Sequence, residues 1–169
     1  MTKSIEYSGN QLPQPSIIPT PTRPIVKDYG IPEDEEGLLN WDFVDERMAN
    51  ARNYWVATVE VNGRPHTVPV WGIWRNNILY FGGGPDTRWS RNVAQNQEVV
   101  VHLESGDEVV IFEGSVQRIQ DAELMAPIDD LYEEKYKIRH GPPIWILTPR
   151  VVFAWGTYPT TTTRWLFGT

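Results

Sequence analysis

Apolar positions change period along this chain, and each change marks an element. Trp41, Val44, Met48, Ala51 and Trp55 recur at three-to-four spacing behind Asn40, which predicts an amphipathic helix capped by Asn40 and ending near Asn53. The period then falls to two over residues 54–61, where Trp55, Ala57, Val59 and Val61 alternate with Tyr54, Val56, Thr58 and Glu60. Asn62-Gly63 follows as a hairpin turn into a strand from His66 to Trp74, and a turn at Arg75, Asn76 and Asn77 returns the chain as Ile78 to Phe81. Gly82, Gly83 and Gly84 end that strand, and Asp86 or Thr87 caps a short helix reaching Asn96.

A second hairpin pairs Val99–Leu103 with Glu108–Ile119 about a Ser105-Gly106 turn. Asp121 caps a helix carrying Leu124, Ile128, Leu131, Tyr132 and Tyr136 on one face, with Pro127 expected to break or kink it. Ile144–Leu147 and Val151–Trp155 complete seven strands. Helices here separate hairpins and do not connect parallel strands, so the pattern predicts an antiparallel barrel, mainly β with outer helices, and excludes a Rossmann topology.

The first 36 residues behave differently. Six of the 14 prolines fall between Pro13 and Pro32, so this stretch forms neither helix nor central strand. Residues 1–36 are read as an arm, either a loose tail or a strap on its own domain or on a neighbouring subunit, and 37–169 as the folded domain.

Composition narrows the function. Lys and Arg number 15 against 22 Asp and Glu, a net charge of −7 that disfavours nucleic acid and anionic membrane surfaces as partners. No Cys is present, so disulfides, thiolate metal sites and cysteine nucleophiles are absent. With no long apolar run and no signal-peptide core in residues 1–10, a soluble cytoplasmic protein is expected. His66, His102 and His140 lack metal-ligand spacing, no Gly-x-Ser-x-Gly elbow occurs, and no catalytic residue stands out. Eight Trp residues point instead to a surface for a planar ligand or a partner subunit.

Two segments fit a ligand. In the first, the Gly82–Gly84 break leads into Thr87-Arg88-Trp89-Ser90-Arg91-Asn92, where free N–H groups at a helix start and two guanidiniums suit a phosphate or carboxylate. The second is Arg64-Pro65-His66-Thr67-Val68-Pro69-Val70-Trp71-Gly72-Ile73-Trp74, where Pro69, which cannot donate to a ladder, leaves strand backbone open to a planar ring beside Trp71 and Trp74.

With these two segments, Arg52-Asn53-Tyr54-Trp55-Val56-Ala57-Thr58, Gly63-Arg64-Pro65-His66 and the hairpin from Val101 to Asp107, residues 42–157 resemble the pyridoxamine 5′-phosphate oxidase-like flavin and deazaflavin oxidoreductases. The resemblance implies an FMN-binding split barrel, an antiparallel split β-barrel assembled as a homodimer. It also implies FMN, or alternatively the deazaflavin coenzyme F-420, with its phosphate near Thr87, Arg88 and the following helix and its ring on Val68–Trp71. Thr67, Gly82, Gly83, Trp89, Arg91, Asn92 and Trp155 complete the implied cofactor set. The implied activity is hydride transfer to or from a small molecule; a non-enzymatic binder of a flavin or haem-like ring is the other reading. Two positions depart from the family pattern. Trp89 stands where a phosphate-binding Lys is common, leaving Arg91 to compensate or Trp89 to stack on the cofactor, and Val68 stands where the pyridoxamine-phosphate oxidases carry Arg.

Overall fold

The long hairpin of strands β6 (Val109–Ile119) and β7 (Ile144–Trp155) organises the molecule, seen in a computed structural model that describes residues 5–168. Before it come α1 (Asp42–Asn50), β1 (Tyr54–Val59), β2 (Pro65–Val70), β3 (Gly72–Arg75), β4 (Ile78–Gly82), α2 (Arg88–Gln95) and β5 (Glu98–His102). Helix α3 (Ala122–Tyr136) connects β6 to β7, and β8 (Thr163–Leu166) ends the fold. All pairings between strands are antiparallel, in the order β2-β1-β5-β6-β7-β4-β3, with β8 added on β7.

β2 and β3 stand at opposite ends of that order yet are separated in sequence by Trp71 alone. The sheet must therefore curl until its ends meet, and the expected single strand from His66 to Trp74 is divided at Trp71 because its halves pair with different neighbours. β2 takes β1, with Pro69 opposite Trp55, and β3 takes β4, with Gly72 opposite Phe81. The result is the antiparallel barrel that the pattern predicts, split as the family resemblance implies.

β7 is one strand where the sequence suggested two. Pro149, which lacks a ladder donor, lies opposite a register shift between Glu113 and Gly114. A Cβ on Gly114 would stand 2.2 Å from the Thr148 carbonyl oxygen, so glycine lets the backbones close there. This allows Ile144–Ile146 to pair with β4 while Val151–Ala154 pair with β8, a strand the sequence pattern did not show.

The helices also shift from expectation. α1 begins after Trp41 with no side-chain cap; Asn40 offers only its carbonyl, and the helix ends at Asn50, leaving Trp55 to β1. Asp121 caps α3 through the N–H groups of Glu123 and Leu124. Pro127 does not break α3: the carbonyl it leaves without a donor belongs to exposed Glu123, which water can satisfy.

The barrel interior packs Val56, Val101, Phe112 and Trp145 with Val44 and Met48 of α1 and Trp165 of β8. A second core of Ile73, Tyr80, Ile119 and Ile144 lies under Met125, Ile128 and Tyr132 of α3. β4 is buried on both faces, which accounts for its unbroken apolar run.

The arm lies on its own domain. Its backbone pairs with Arg118 near Tyr7 and with Arg164 at Thr22. Buried Arg23 donates to the carbonyls of Asp34, Glu36, Thr160 and Thr162. Among the described residues no helix is long and apolar enough to cross a membrane.

Candidate functional site

Of the two alternatives at the start of α2, Thr87 is the cap. Its backbone is extended, and its Oγ1 donates to Gly84 O at 2.9 Å and accepts from Ser90 N at 3.4 Å. The first two N–H groups of the helix, on Arg88 and Trp89, have no acceptor within it.

Alternate faces of α2 do different work. Trp89 is 3 % exposed and packs in the barrel against Phe81 and Trp145, with ring centroids 5.6 and 6.3 Å away. Gly83 lets that ring approach: a Cβ there would come within 2.7 Å of it. Asn92 is buried and donates to Thr58 Oγ1 at 3.0 Å, fastening α2 to β1. Trp89 and Asn92 are thus structural anchors, and Trp89 is not placed to stack on a surface ligand.

Arg88 and Arg91 point outward. Together with Arg64 and Glu60 from the β1–β2 turn they line a groove of about 700 Å³. Arg91 donates to the Asp86 carbonyl, and Arg88 stands 3.7 Å from Glu60 with 61 % of its side chain exposed. Three guanidiniums against one carboxylate leave the groove positive in a negatively charged protein, the donor set a phosphate monoester requires. Arg64 opens the second candidate segment while Glu60 carries no signal in the sequence, and only the packing of α2 across β1 and β2 brings both to Arg88.

From this groove the edge of β2 runs towards Trp71. Its only strand partner among the described residues is β1, and Pro65 and Pro69 interrupt the donors along it. Thr67 and Pro69 are exposed, Val68 is half-buried and Val70 is buried. Six residue steps from Pro65 to Trp71 span about 20 Å, room for a tricyclic ring on a ribityl phosphate.

Trp71 is 38 % exposed and lies flat on Tyr136, ring centroids 4.7 Å apart. Tyr132 donates to its carbonyl at 2.9 Å. Beside it, burial and the nearby Arg52 charge bring the Lys135 amine down to about 8, and burial pushes the phenols of Tyr54, Tyr132 and Tyr136 up.

Two expected site residues stand apart. Gly82 is buried against the His140 ring, where a Cβ would come within 2.3 Å of Cε1. Trp155 lies on β7, four strands from β2 and so about 19 Å away along the sheet. Within one chain, Arg64, Arg88 and Arg91 line one groove, the β2 edge through Thr67–Trp71 starts from the same β1–β2 turn, and Trp155 lies off both.

A family model for pyridoxamine 5′-phosphate oxidase matches residues 41–156, more than half of the chain. The chain belongs to the pyridoxamine 5′-phosphate oxidase family. Solved structures share the fold of this family member at low identity. A conserved hypothetical protein from Mycobacterium tuberculosis is similar with a TM-score of 0.62 and 15 % identity, over 72 % of this chain and 88 % of that one. A NimC/NimA family protein from Clostridium acetobutylicum gives 0.61 and 12 %, over 73 % and 90 %. A heme binding protein from Mycobacterium smegmatis gives 0.57 and 17 %, over 75 % and 59 %. No curated protein matches the sequence.

Proposed function

We propose that this family member binds FMN along the β2 edge, with the deazaflavin coenzyme F-420 as the alternative occupant, and serves as an oxidoreductase that passes hydride to or from a small molecule. The observation that carries this reading is the groove of Arg64, Arg88 and Arg91 at the β1–β2 turn, from which the open β2 edge leads to Trp71. Arginine forks and the N–H groups of Arg88 and Trp89 suit a phosphate at one end, and open strand backbone suits a planar ring at the other. A flavin supplies the hydride chemistry when bound. The chain's part is to grip the phosphate, seat the ring on Thr67–Trp71 and orient it. Val68, which offers no charge to a substrate phosphate, favours a substrate other than pyridoxamine phosphate.

The protein acts as a homodimer in this proposal. Register places Pro69, Trp55, His102, Ile111 and Phe153 in one row on the outer face of the sheet, opposite the buried row of Val56, Val101, Phe112 and Val152. A second copy packed on that partly exposed apolar row brings its own Trp155 towards the ring, which one chain cannot do. A monomeric mass by sedimentation would remove the shared site.

A haem-like ring is the second reading, favoured by His102. Its imidazole stacks on Trp55 with planes 4° from parallel, and its Nδ1 is 2.8 Å from the Leu103 carbonyl, leaving Nε2 as the ligating nitrogen. The absorption spectrum of the purified protein, as isolated and after addition of each compound, separates the readings. FMN, the deazaflavin and haem have distinct visible bands, and a protein that takes up neither FMN nor the deazaflavin defeats the first. Catalytic reoxidation of the reduced, bound flavin by an added acceptor then distinguishes an enzyme from a binder.

A further inference from the structure

No ladder hydrogen bond crosses from β2 to β3, because the two strands pair with β1 and β4 at opposite ends of the sheet. Side chains of α3 make the connection. The Tyr136 hydroxyl accepts from Gly72 N at 3.1 Å and lies 2.7 Å from the Arg52 carbonyl and 2.9 Å from that of Gly72. Lys135 Nζ donates to Gly72 O at 3.0 Å and to Tyr54 Oη at 3.2 Å, tying β3 to β1 where the barrel closes. Its charge also lies near the rings of Tyr54 and Tyr136, 5.0 and 5.1 Å from their centroids.

We propose that Lys135 is the positioning residue of the ring site: by bridging Gly72 and Tyr54 it sets how β2 leaves the barrel and presents Trp71, and it makes ring binding respond to pH. This rests on the β2 edge being the ring site. Lys135 touches no ring itself and acts through Gly72 and Trp71.

The titrating group is identified by its surroundings. Arg52 from the loop before β1, Tyr54 from β1 and Tyr136 from α3 face the amine, and Tyr132 of α3 couples to both of those phenols. Arg75 of β3 and Asp130 and Glu134 of α3 line the groove that reaches it, Asp130 held by Arg139 at 2.8 Å. Carboxyl and guanidinium groups as a class titrate outside the interval from about pH 7 to 9, and burial pushes the three phenols upward. Lys135, lowered to about 8, is the member of this set that changes charge between neutral pH and pH 9. As it does so, a charge-assisted bond to Gly72 becomes an ordinary one.

FMN titrations at about pH 7 and about pH 9, on the parent, Lys135→Arg and Lys135→Gln, test this. The parent is expected to lose about fivefold in affinity over that range, the difference between a charged and a neutral hydrogen bond. Lys135→Arg, which keeps its charge, stays flat and controls for titration of FMN itself; Lys135→Gln is weak at both values. Parent affinity and parent slope in Lys135→Gln, or the parent slope in Lys135→Arg, overturns the proposal. Amide hydrogen exchange on ligand-free protein supplies a second readout. Residues 67–74 exchange faster in Lys135→Gln than in the parent while β6 and β7 do not; unchanged exchange in 67–74 also overturns it. Absence of FMN binding by the parent at either pH defeats the ring-site reading, and the exchange result then decides the role of Lys135 alone.

Discussion

Trp71 and Tyr136 lie face to face, 4.7 Å between centroids and 7° between planes, although they belong to the barrel seam and to a helix 65 residues further along the chain. The stack places the seam, and with it one end of the proposed ring site, under the control of α3. The edge of β2 is open, but its end is held.

Arg88→Ala is expected to weaken FMN binding at least about tenfold, because a charge-assisted hydrogen bond contributes roughly 1.5–3 kcal/mol. Arg64→Ala should do the same, while Glu60→Gln, which removes the carboxylate 3.7 Å from Arg88, should tighten binding. Calorimetric titration checks all three. Unchanged affinity in both arginine variants would move the phosphate away from this groove. Their unfolding midpoints should match the parent, since exposed charges contribute little to the core.

Trp89→Ala should cost about 3–5 kcal/mol in urea unfolding, as for other buried large aromatics. Trp89→Lys, which installs the residue common in the family, should also destabilise the protein, because the ammonium would enter the barrel among Phe81 and Trp145. A stable Trp89→Lys protein with tighter FMN binding would show that this side chain reaches the phosphate.

Arg23→Met should release the arm. Four carbonyls lose their common donor, costing about 2–4 kcal/mol, and a protease should then cut within residues 5–36 faster than in the parent. An equal cutting rate would mean that the contacts at Tyr7 and Thr22 suffice.

The pH dependence of stability has two opposing parts. Lys135 falls from 10.5 in the unfolded chain to about 8 in the fold, so over that interval the unfolded state holds more protons and stability rises with pH. Tyr54, Tyr132 and Tyr136 are raised above 10.0, so beyond that value the unfolded state loses protons first and stability falls. Urea midpoints should therefore climb above about 8 and decline above about 10, and Lys135→Met should abolish the climb. A climb that persists in Lys135→Met assigns it to another group.

The sequence by itself determined the local choices. Alternation over residues 54–61, the Asn62-Gly63 turn, the cap at Asp121 and the glycine break after Phe81 are each written in a few neighbouring residues, because strand period, turn geometry and capping are short-range. The candidate segments Thr67–Trp71 and Thr87–Arg91 were legible for the same reason. Tertiary structure decided what depends on partners far along the chain. It divided one strand at Trp71, carried β7 past Pro149 by a bulge at Arg150, and turned Trp89 inward while Arg88 faced out. It also brought Arg64 to Arg88 and Lys135 to Gly72. Sequence spacing marks which residues can share a face, but which face is buried, and against what, is fixed only when the sheet curls and its two ends meet.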